Sequence, residues 1–477
     1  MADPFPEYER HDALALADLV RRRDVSPQML LDAAIARIEA GNPRLNAVVT
    51  PLYDHARAAI AAGLPDGPFT GVPFLLKDLG QLLAGARLTN GSRLWQDFIP
   101  DHDTTLVSRY KAAGLVIAGK TNTPELGPSI TTESAFLGPA RNPWDPSRTP
   151  GGSSGGAAAA VAAGFLPMAH ASDGGGSIRA PAAHCGLYGF KPSRARNPSG
   201  PDIGEALNGL STAHCVSWTV RDSAALLDAT HGPEAGDPYQ VVPPSRPFLD
   251  EVSRDPGILR IAFTTASPLG GPVDPAAVAA TQAAARLLES LGHDVEEAAP
   301  DYDAPAMHRE WQVITGAIMA VQVEGYARAR GIDDPLALLE PQNAALIEAI
   351  ARRPPADYFR AEMAIQTVGR RVGAFFRKYD ILLTPAMAGP AAPIGELAGG
   401  GTDLEEFYGR TFGHTPFTAV FNATGGPAAA VPFDVTDGGL PIGIQIGADL
   451  GHDGMVFALS AQLERARPWR HRRPPRN

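Results

Sequence analysis

The sequence predicts an α/β fold with one large mixed β-sheet flanked by helices. Short apolar runs typical of buried strands recur along the chain, at residues 72–76, 115–118, 258–263, 380–383, 427–433 and 442–446. Helical stretches separate these runs, and this alternation is typical of α/β proteins. A chain of 477 residues can bury a large core. We expect residues 1–477 to form a single domain, because no low-complexity linker interrupts them.

Amphipathic helices are predicted near the start of the chain, over residues 12–23 and 26–40. Pro27 suits a helix start, because the N–H that proline lacks would have no partner there. Gly41 is the predicted stop, since glycine takes the left-handed conformation that ends many helices. An alanine-rich helix is predicted from residue 157 to residue 164.

Residues 300–370 are also predicted to be helical. Several large side chains of this part of the chain are available to line a pocket, with ordinary core packing as the alternative: Trp311, Met319, Tyr326, Tyr358 and Phe359.

Composition excludes several classes of protein. The net charge of −11 argues against general nucleic-acid binding, which needs positive charge to displace counterions from phosphates. No apolar run reaches the roughly 18 residues of a membrane helix, and the first residues lack the layout of a signal peptide. Cys185 and Cys215 are the only cysteines and are not spaced as zinc ligands, so we expect both to be reduced and buried. These features predict a cytoplasmic protein without membrane or nucleic-acid partners.

The segment DGGGSIR (173–179) contains a candidate nucleophile, Ser177. A serine hydroxyl attacks a carbonyl only when a base takes its proton. Successive N–H groups of the glycines before Ser177 can form a concave anion site that suits the oxyanion of a tetrahedral intermediate. Residues 178–181 are predicted to open a short helix whose dipole would add to that field. A glycine turn without chemistry is the alternative.

A second serine and a lysine can complete this chemistry. Ser153 lies in GGSSGG (151–156), directly before the alanine-rich helix, where a flexible linker is not expected. Lys77 ends the apolar run GVPFLLK and would act as base if burial lowers its pKa from about 10.4. The alternative is a lysine that reaches the surface from a strand end. Asp78 should point to the opposite face and make a structural hydrogen bond.

Three other segments match catalytic motifs in their letters. Residues 114–121 fit the phosphate-loop pattern, but the residues between the glycines are a predicted strand and no helix follows. Ser154 stands at the centre of a G-x-S-x-G elbow, which needs a later acid and histidine that no segment clearly supplies. Residues 108–111 fit S-x-x-K without its companion motifs.

Several segments together resemble the amidase signature family: GVPFLLKD, GKTNTPE (119–125), RNPW (141–144), GGSSGG and SDGGGSIRAPAAHCGLYGFKP (172–192). They occur in order, and a weaker resemblance continues to residues 438–446. Within the family, the N-terminal stretch, GVPFLLKDL, KTNTPE and the C-terminal half look most similar to 6-aminohexanoate-cyclic-dimer hydrolases, which open amide bonds in nylon oligomers. The resemblance implies a single α/β amidase domain around a mixed, twisted sheet. It also implies a catalytic core at about 65–230 and a helical excursion at about 300–420 that contributes to the substrate pocket.

The resemblance implies a role for each matching residue. Lys77 would be the base, Ser153, after a cis peptide bond, the bridging serine, and Ser177 the nucleophile. The oxyanion hole would be formed by the backbone N–H groups of Gly174, Gly175, Gly176 and Ser177. Supporting roles fall to Ser154, which would steady Lys77, to Asp173 and Arg179, which would hold the loop, and to Gly127 and Ser129 as substrate contacts. Many members have threonine where this chain has Gly174, so we expect a looser loop here.

The expected activity is hydrolysis of amide C–N bonds through an acyl-enzyme, without a metal or an organic cofactor. Nylon-oligomer-like, aliphatic and aryl amides are the expected small-molecule substrates. Aryl carbamates (urethanes) are included, since their carbonyl also forms a tetrahedral oxyanion and expels an amine. The alternative is the catalytic subunit of a glutamine-dependent tRNA amidotransferase, which needs partner chains. We expect a monomer or a homodimer.

Overall fold

The computed structural model describes residues 5–475. The strands of this part of the chain are β1 (Val48–Pro51), β2 (Pro73–Lys77), β3 (Val116–Thr121), β4 (Glu133–Ser134), β5 (Gly138–Pro139), β6 (Met168–Asp173), β7 (Tyr188–Lys191), β8 (Thr212–Ser217), β9 (Arg260–Phe263), β10 (Asp294–Glu297), β11 (Ile381–Pro385), β12 (Ala428–Val435) and β13 (Pro441–Gly447). Its α-helices are α1 (Ala13–Arg21), α2 (Pro27–Leu45), α3 (Tyr53–Ala62), α4 (Thr105–Ala112), α5 (Gly155–Ala162), α6 (Arg179–Cys185), α7 (Val220–Thr230), α8 (Phe248–Val252), α9 (Pro275–Ser290), α10 (Ala304–Arg330), α11 (Pro341–Ala351), α12 (Pro355–Phe375), α13 (Leu404–His414), α14 (Val420–Thr424) and α15 (Asp453–Ala466).

An eight-stranded sheet forms the centre of the fold, in the order β10-β9-β11-β13-β12-β7-β8-β6. Strand β9 pairs in parallel with β10 and β11, whereas the other neighbours are antiparallel. The predicted mixed sheet is therefore confirmed.

One part of that prediction was wrong, because two of the apolar runs lie outside the central sheet. Strands β2 and β3 form a separate three-stranded sheet with β1, in the order β1-β3-β2. Strand β2 meets strand β6 through a side chain, since the N–H of Lys77 donates to Nδ1 of His170, 3.2 Å away.

Small side chains bring the helix after GGSSGG close to the central sheet. All residues of α5 are buried, and its alanines pack in one cluster with Ala169 and Ala171 of β6. A helix without large side chains can approach a strand closely, which is why an alanine-rich sequence suits this position. The loop before α5 is thereby held next to β6.

The predicted end of the second helix was wrong. Helix α2 continues to Leu45 and ends at Asn46, which adopts the left-handed conformation with φ 47°. Gly41 has a different role, since a Cβ built on it would lie 2.6 Å from the ring of Phe165. Glycine is needed there for a close approach of that ring rather than for a helix stop.

The predicted helices of residues 300–370 and the predicted state of both cysteines are confirmed. Helices α10, α11 and α12 occupy most of residues 300–370. Cys185 and Cys215 are free and buried. No helix within residues 5–475 is long and apolar enough to cross a membrane. The cytoplasmic location and the extents of the catalytic core and the helical excursion stay predictions.

Candidate active site

A buried lysine lies at the centre of the candidate site. Lys77 ends β2, and its side chain is fully buried. Its Nζ lies 2.7 Å from Oγ of Ser153 and 3.1 Å from Oγ of Ser172. Ser153 belongs to the loop before α5, and Ser172 to β6. The expected burial of Lys77 is confirmed, and three elements meet at its amine.

Burial changes the charge state of this amine. Desolvation lowers the pKa of Lys77 from 10.5 to about 7, and the nearby negative charge of Asp173 opposes the change only in part. The three residues of β2 before Lys77, which are Phe74, Leu75 and Leu76, are apolar and fully buried. Near neutral pH a large fraction of Lys77 is therefore uncharged. An uncharged amine can accept a proton from a hydroxyl group.

Among residues 5–475, Ser154 makes no hydrogen bond with Lys77, and its predicted supporting role stays a prediction. Its Oγ donates to the carbonyl oxygen of Ser172 at 3.2 Å and accepts the N–H of Ser172 at 3.3 Å. Of these two serines, only Ser153 is hydrogen-bonded to the amine. The side chain that steadies Lys77 is that of Ser172, and Ser154 fixes the backbone of Ser172. These contacts also remove Ser154 from consideration as a histidine-activated nucleophile.

Asp78 and the phosphate-loop pattern turn out as predicted. The carboxylate of Asp78 accepts a hydrogen bond from the hydroxyl of Thr89 at 2.5 Å, away from Lys77. Residues 116–121 form strand β3, and the next helix in the chain begins only at residue 155. The segment therefore lacks the strand–loop–helix arrangement that a phosphate loop needs.

Ser177 lies in the glycine-rich loop between β6 and α6, the helix that the sequence predicted. Its side chain is half-buried. Within residues 5–475 its hydroxyl has no hydrogen-bond partner. The structure thus links Lys77 to Ser153 directly and leaves the Ser177 hydroxyl free to meet a substrate. The peptide bond between Gly152 and Ser153 is cis, as the resemblance implied.

Side chains from distant parts of the chain hold three carbonyl groups of the glycine-rich loop. Nδ2 of Asn422 donates to Asp173 O at 3.0 Å, and Nε1 of Trp311 donates to Gly174 O at 2.8 Å. Oγ1 of Thr418 donates to Gly175 O at 2.5 Å. The peptide bonds of the loop are trans. The N–H of the residue after each of these carbonyl groups therefore points away from the side chain that donates to the carbonyl oxygen. The loop therefore has a fixed set of N–H directions.

One of the four predicted oxyanion donors is used elsewhere. The N–H of Gly176 donates to the carboxylate of Asp173 at 2.7 Å. The N–H groups of Gly174, Gly175 and Ser177 have no acceptor among residues 5–475. These three, rather than four, are available to a ligand oxygen.

A buried ion pair braces the base of this loop. Arg179 donates to both carboxylate oxygens of Asp173, at 2.8 and 2.9 Å, and neither side chain is exposed. Burial raises the pKa of Asp173, but the charge and hydrogen bonds of Arg179, with Asn422, outweigh burial and hold the pKa well below its usual range. Asp173 therefore stays ionised and keeps its bond to Gly176 throughout the neutral range.

The absence of a side chain at Gly174 makes room for a neighbour. A Cβ built on Gly174 would lie 2.7 Å from Cδ1 of Leu207 and 3.6 Å from Cβ of Ser211. Both neighbours line the large cavity described below. The departure from the family pattern therefore allows Leu207 to pack directly on the loop backbone.

The two predicted substrate contacts lie in different surroundings. A Cβ built on Gly127 would lie 3.5 Å from Oγ of Ser153, so Gly127 borders Ser153. Oγ of Ser129 lies 3.2 Å from Oγ1 of Thr131. Ser129 lines a small void of about 10 Å³. Contact of either residue with substrate stays a prediction.

A cavity of about 790 Å³ opens beside this cluster and reaches Ser172. Its size falls in the range of about 300–1,000 Å³ typical of small-molecule sites. Tyr358 and Phe359 line it, whereas Trp311 and Met319 belong to the buried core. The ring of Tyr326 lies 4.9 Å from that of Trp95 at an angle of 35°. Two of the five predicted pocket side chains are thus confirmed. Among residues 5–475, no group of three or more histidine, cysteine or acidic residues is placed to hold a metal ion.

Comparison with known proteins places the chain among the amidases. Residues 29–457 match the Amidase family. The chain is 37% identical to 6-aminohexanoate-cyclic-dimer hydrolase of Paenarthrobacter ureafaciens, over 97% of this chain and 96% of the relative. The structure of a 6-aminohexanoate cyclic dimer hydrolase complexed with substrate superposes with a TM-score of 0.92 at 36% identity, covering 98% of this chain and 99% of that one. A bacterial aryl acylamidase gives a TM-score of 0.88 at 31% identity, covering 96% of each chain.

These similarities define the class of the protein, which is a hydrolase that acts on amide C–N bonds. More particularly, the chain belongs to the amidase signature family. The predicted family, fold class and enzyme class are confirmed.

Proposed function

We propose that the protein hydrolyses amides through an acyl-enzyme formed on Ser177, with Ser153 as proton relay and Lys77 as base. The observation that carries this proposal is the 2.7 Å contact between Nζ of a fully buried Lys77 and Oγ of Ser153. A pKa of about 7 gives the amine the protonation state that a general base needs at neutral pH.

In this mechanism the Ser177 hydroxyl, which has no hydrogen-bond partner within residues 5–475, turns to Ser153 when substrate binds. Ser153 then accepts the proton of Ser177 while Lys77 accepts that of Ser153. The Ser177 oxygen attacks the carbonyl carbon, and the oxyanion accepts hydrogen bonds from the N–H groups of Gly174, Gly175 and Ser177. Ser153 then donates a proton to the departing amine, and Lys77 restores the proton to Ser153. Water repeats the attack on the acyl-enzyme and releases the acid.

The proposed substrates are neutral amides of the nylon-oligomer and aryl type, together with aryl carbamates. The relatives support the first two classes, since their names include a 6-aminohexanoate cyclic dimer hydrolase and an aryl acylamidase. Carbamates are added because the same three N–H groups suit the oxyanion that forms from a urethane carbonyl. Ester hydrolysis is also expected, since an alkoxide leaves more readily than an amine. We propose that the chain works without a partner protein.

Replacement of the nucleophile tests the proposal. Ser177→Ala should retain the fold, because the hydroxyl makes no hydrogen bond within residues 5–475, and should lose activity by about 10³-fold or more. Amine release from an anilide and mass spectrometry of a trapped acyl-enzyme are the measurements. Ser108→Ala, an exposed serine on α4, is the matched control and should remain fully active. A folded Ser177→Ala enzyme that keeps its turnover would refute the assignment.

The amidotransferase alternative makes a different prediction for the same purified chain. A catalytic subunit of that kind would release ammonia from glutamine and would depend on partner chains for full activity. A panel of nylon cyclic dimer, short anilides, an aryl carbamate and glutamine, read by amine or ammonia release, separates the two. Hydrolysis of glutamine alone would overturn the proposed function.

A further inference from the structure

Both the backbone and the side chain of Lys77 are attached to strand β6. The Lys77 N–H donates to Nδ1 of His170 at 3.2 Å, and Nζ lies 3.1 Å from Oγ of Ser172. His170 and Ser172 are two residues apart in β6, so their side chains leave the strand on the same face. The proposed mechanism uses the amine and its contact with Ser153, and gives no role to His170.

The hydrogen bond from Lys77 determines the form of the His170 ring. A ring nitrogen that accepts an N–H carries no hydrogen of its own, so the hydrogen of the neutral ring is on Nε2. A charged ring would carry hydrogens on both nitrogens and would turn one of them toward the N–H of Lys77. Burial, with Lys77, His214 and Lys120 as further causes, also holds the pKa of His170 well below its usual value. The ring is therefore a neutral acceptor throughout the neutral pH range.

A neutral acceptor at this place suits a base that must lose its proton. A carboxylate could accept the same N–H, but its negative charge would stabilise the ammonium form of Lys77, as Asp173 does in part. The His170 ring is fully buried, and its Nε2 has no hydrogen-bond partner within residues 5–475. Since an unpaired buried N–H is unfavourable, an apolar side chain would serve packing alone at a lower cost.

The titratable groups next to the His170 ring on other elements are uncharged near neutral pH. Tyr110 of α4 has its ring centre 6.0 Å from that of His170, and Cys215 of β8 lies opposite His170 in the sheet. Burial raises the pKa of the Tyr110 hydroxyl and of the Cys215 thiol. Burial lowers the pKa of His214 to about 3.

The charged groups near the Lys77 amine are paired with one another. The carboxylate of Asp78 lies 3.9 Å from Nζ of Lys120. The negative charge that acts on the Lys77 amine is that of Asp173, which is bound to Arg179. Helix α5 packs on both strands and has no titratable residue, and those of α2 lie at partly or fully exposed positions. A charged acceptor at residue 170 would therefore add an unpaired charge to this surrounding.

We propose that His170 is a positioning residue for the Lys77 base: its neutral ring holds the Lys77 backbone on β6, so that the amine stays beside Ser153, and it adds no charge that would keep the amine protonated. This inference rests on the proposed function, in which the amine acts as base. It predicts that residue 170 must provide a hydrogen-bond acceptor, and that this acceptor must be uncharged.

Three substitutions at residue 170 separate these two requirements. His170→Asn keeps an uncharged acceptor, and His170→Asp keeps an acceptor of the same shape and adds a charge. His170→Leu fills the apolar surroundings without an acceptor. If the ring served packing alone, leucine would replace it better than asparagine would, because a buried amide without full hydrogen bonding is unfavourable.

Hydrolysis of a short anilide is measured for each variant from pH 5 to pH 10. His170→Asn should keep kcat within about threefold of the unmodified enzyme and should not move the acidic limb of the kcat/KM profile. His170→Leu should lower kcat about tenfold or more at every pH, because the Lys77 N–H loses its acceptor. In His170→Asp the limb should move up by about one pH unit or more, and kcat should recover at the alkaline end. A His170→Leu enzyme as active as His170→Asn would overturn the positioning role. Should His170→Asp not fold, this comparison decides on its own.

A titration of Lys77 that needs no turnover separates this inference from the proposed function. The chain has five lysines, so labelling with ¹³C at Cε gives few NMR signals, and Lys77→Met assigns that of Lys77. Its midpoint should lie at about 7 in the unmodified protein and in His170→Asn. It should be higher by about one unit or more in His170→Asp, through the added charge, and in His170→Leu, whose amine gains access to water. These shifts support the inference even if an active Ser177→Ala enzyme overturns the proposed function. Unshifted midpoints in both variants overturn the inference, while an inactive Ser177→Ala enzyme leaves the proposed function standing.

His293 provides a matched control at the opposite edge of the central sheet, directly before β10. Its Nδ1 accepts the N–H of Leu259 at 3.2 Å, the distance found at His170, and its side chain is buried. Leu259 takes no part in the proposed mechanism. The same three substitutions at residue 293 should leave the kcat/KM profile and the Lys77 midpoint unchanged. If they reproduce the effects seen at residue 170, general loss of stability is the cause and the inference is wrong.

Discussion

Replacement of Lys77 by methionine should separate stability from activity in a way that depends on pH. Burial lowers the pKa of Lys77 from 10.5 to about 7 in the folded protein. The unfolded chain keeps this proton up to a pKa of about 10.4. Between these pH values the unfolded state binds more protons than the folded state, so the contribution of Lys77 to stability improves as the pH rises through this window. Below about pH 7 the cost of the buried charge is present in full.

The size of the effect follows from the shift. One pKa unit corresponds to about 1.4 kcal/mol. Lowering the pKa of Lys77 from 10.5 to about 7 therefore corresponds to roughly 5 kcal/mol between pH 7 and pH 10.5. Lys77→Met removes this titration and keeps a similar apolar volume. The free energy of unfolding of Lys77→Met minus that of the unmodified protein should therefore fall by about 4–5 kcal/mol as the pH rises across this window. Loss of a partner for Ser153 and Ser172 subtracts about 1–3 kcal/mol at every pH, and does not alter this slope.

Urea unfolding between pH 6 and pH 10.5 measures the difference between variant and unmodified protein. Lys191→Met is the matched control, because burial also lowers the pKa of Lys191 to about 7 and its Nζ donates only to Pro192 O, at 2.8 Å. Both variants should show the same trend in stability. Only Lys77→Met should lose activity, and the control should keep a kcat/KM that rises through about pH 7. A difference in stability that does not vary with pH for Lys77→Met would refute the assignment of a neutral buried amine.

Two further substitutions test the neighbours of the catalytic cluster. Ser172→Ala removes the second acceptor of the Lys77 ammonium, so it should lower kcat about tenfold and shift the acidic limb of the kcat/KM profile to lower pH, measured from pH 5 to pH 9. An unshifted limb would show that Ser172 does not act on the amine. Trp311→Phe removes the hydrogen bond to Gly174 O while keeping an aromatic ring, so kcat should fall about 3- to 10-fold with little change in KM. An increase in KM alone would mean that Trp311 serves substrate binding instead.

Several strands could be predicted because strands that are buried on both faces consist mainly of apolar residues. The residues of β11 and β13, and all but the C-terminal end of β12, are buried, so they appear as continuous apolar runs. The division of these runs between two sheets could not be predicted in this way. The sheets meet through contacts between residues far apart in the sequence, such as the N–H of Lys77 and the ring of His170.

The proposed catalytic residues were found in the sequence because they stand in dense local motifs, whereas the residues that support them could not be found in this way. Ser172 lies inside a recognised motif, and only the geometry of β6 shows that its side chain faces the amine. Trp311, Thr418 and Asn422 lie between 137 and 249 residues from the loop carbonyls that they hold. No local signal marks such residues, since a single donor to a backbone carbonyl leaves no pattern in sequence.

The glycine-rich loop illustrates why local composition misleads about rigidity. Three glycines in a row predict freedom, and the replacement of threonine by Gly174 predicts still more. Donors from α10, α14 and the segment before α14 hold successive carbonyls of this loop and thereby restrict the freedom that glycine would otherwise have. Gly174 also lets Leu207 pack on the backbone, and Leu207 in turn lines the cavity. A side chain placed at residue 174 would therefore displace Leu207 from the wall of the cavity. Residue 174 thus affects both the direction of the Gly175 N–H, through its carbonyl group, and the shape of the cavity.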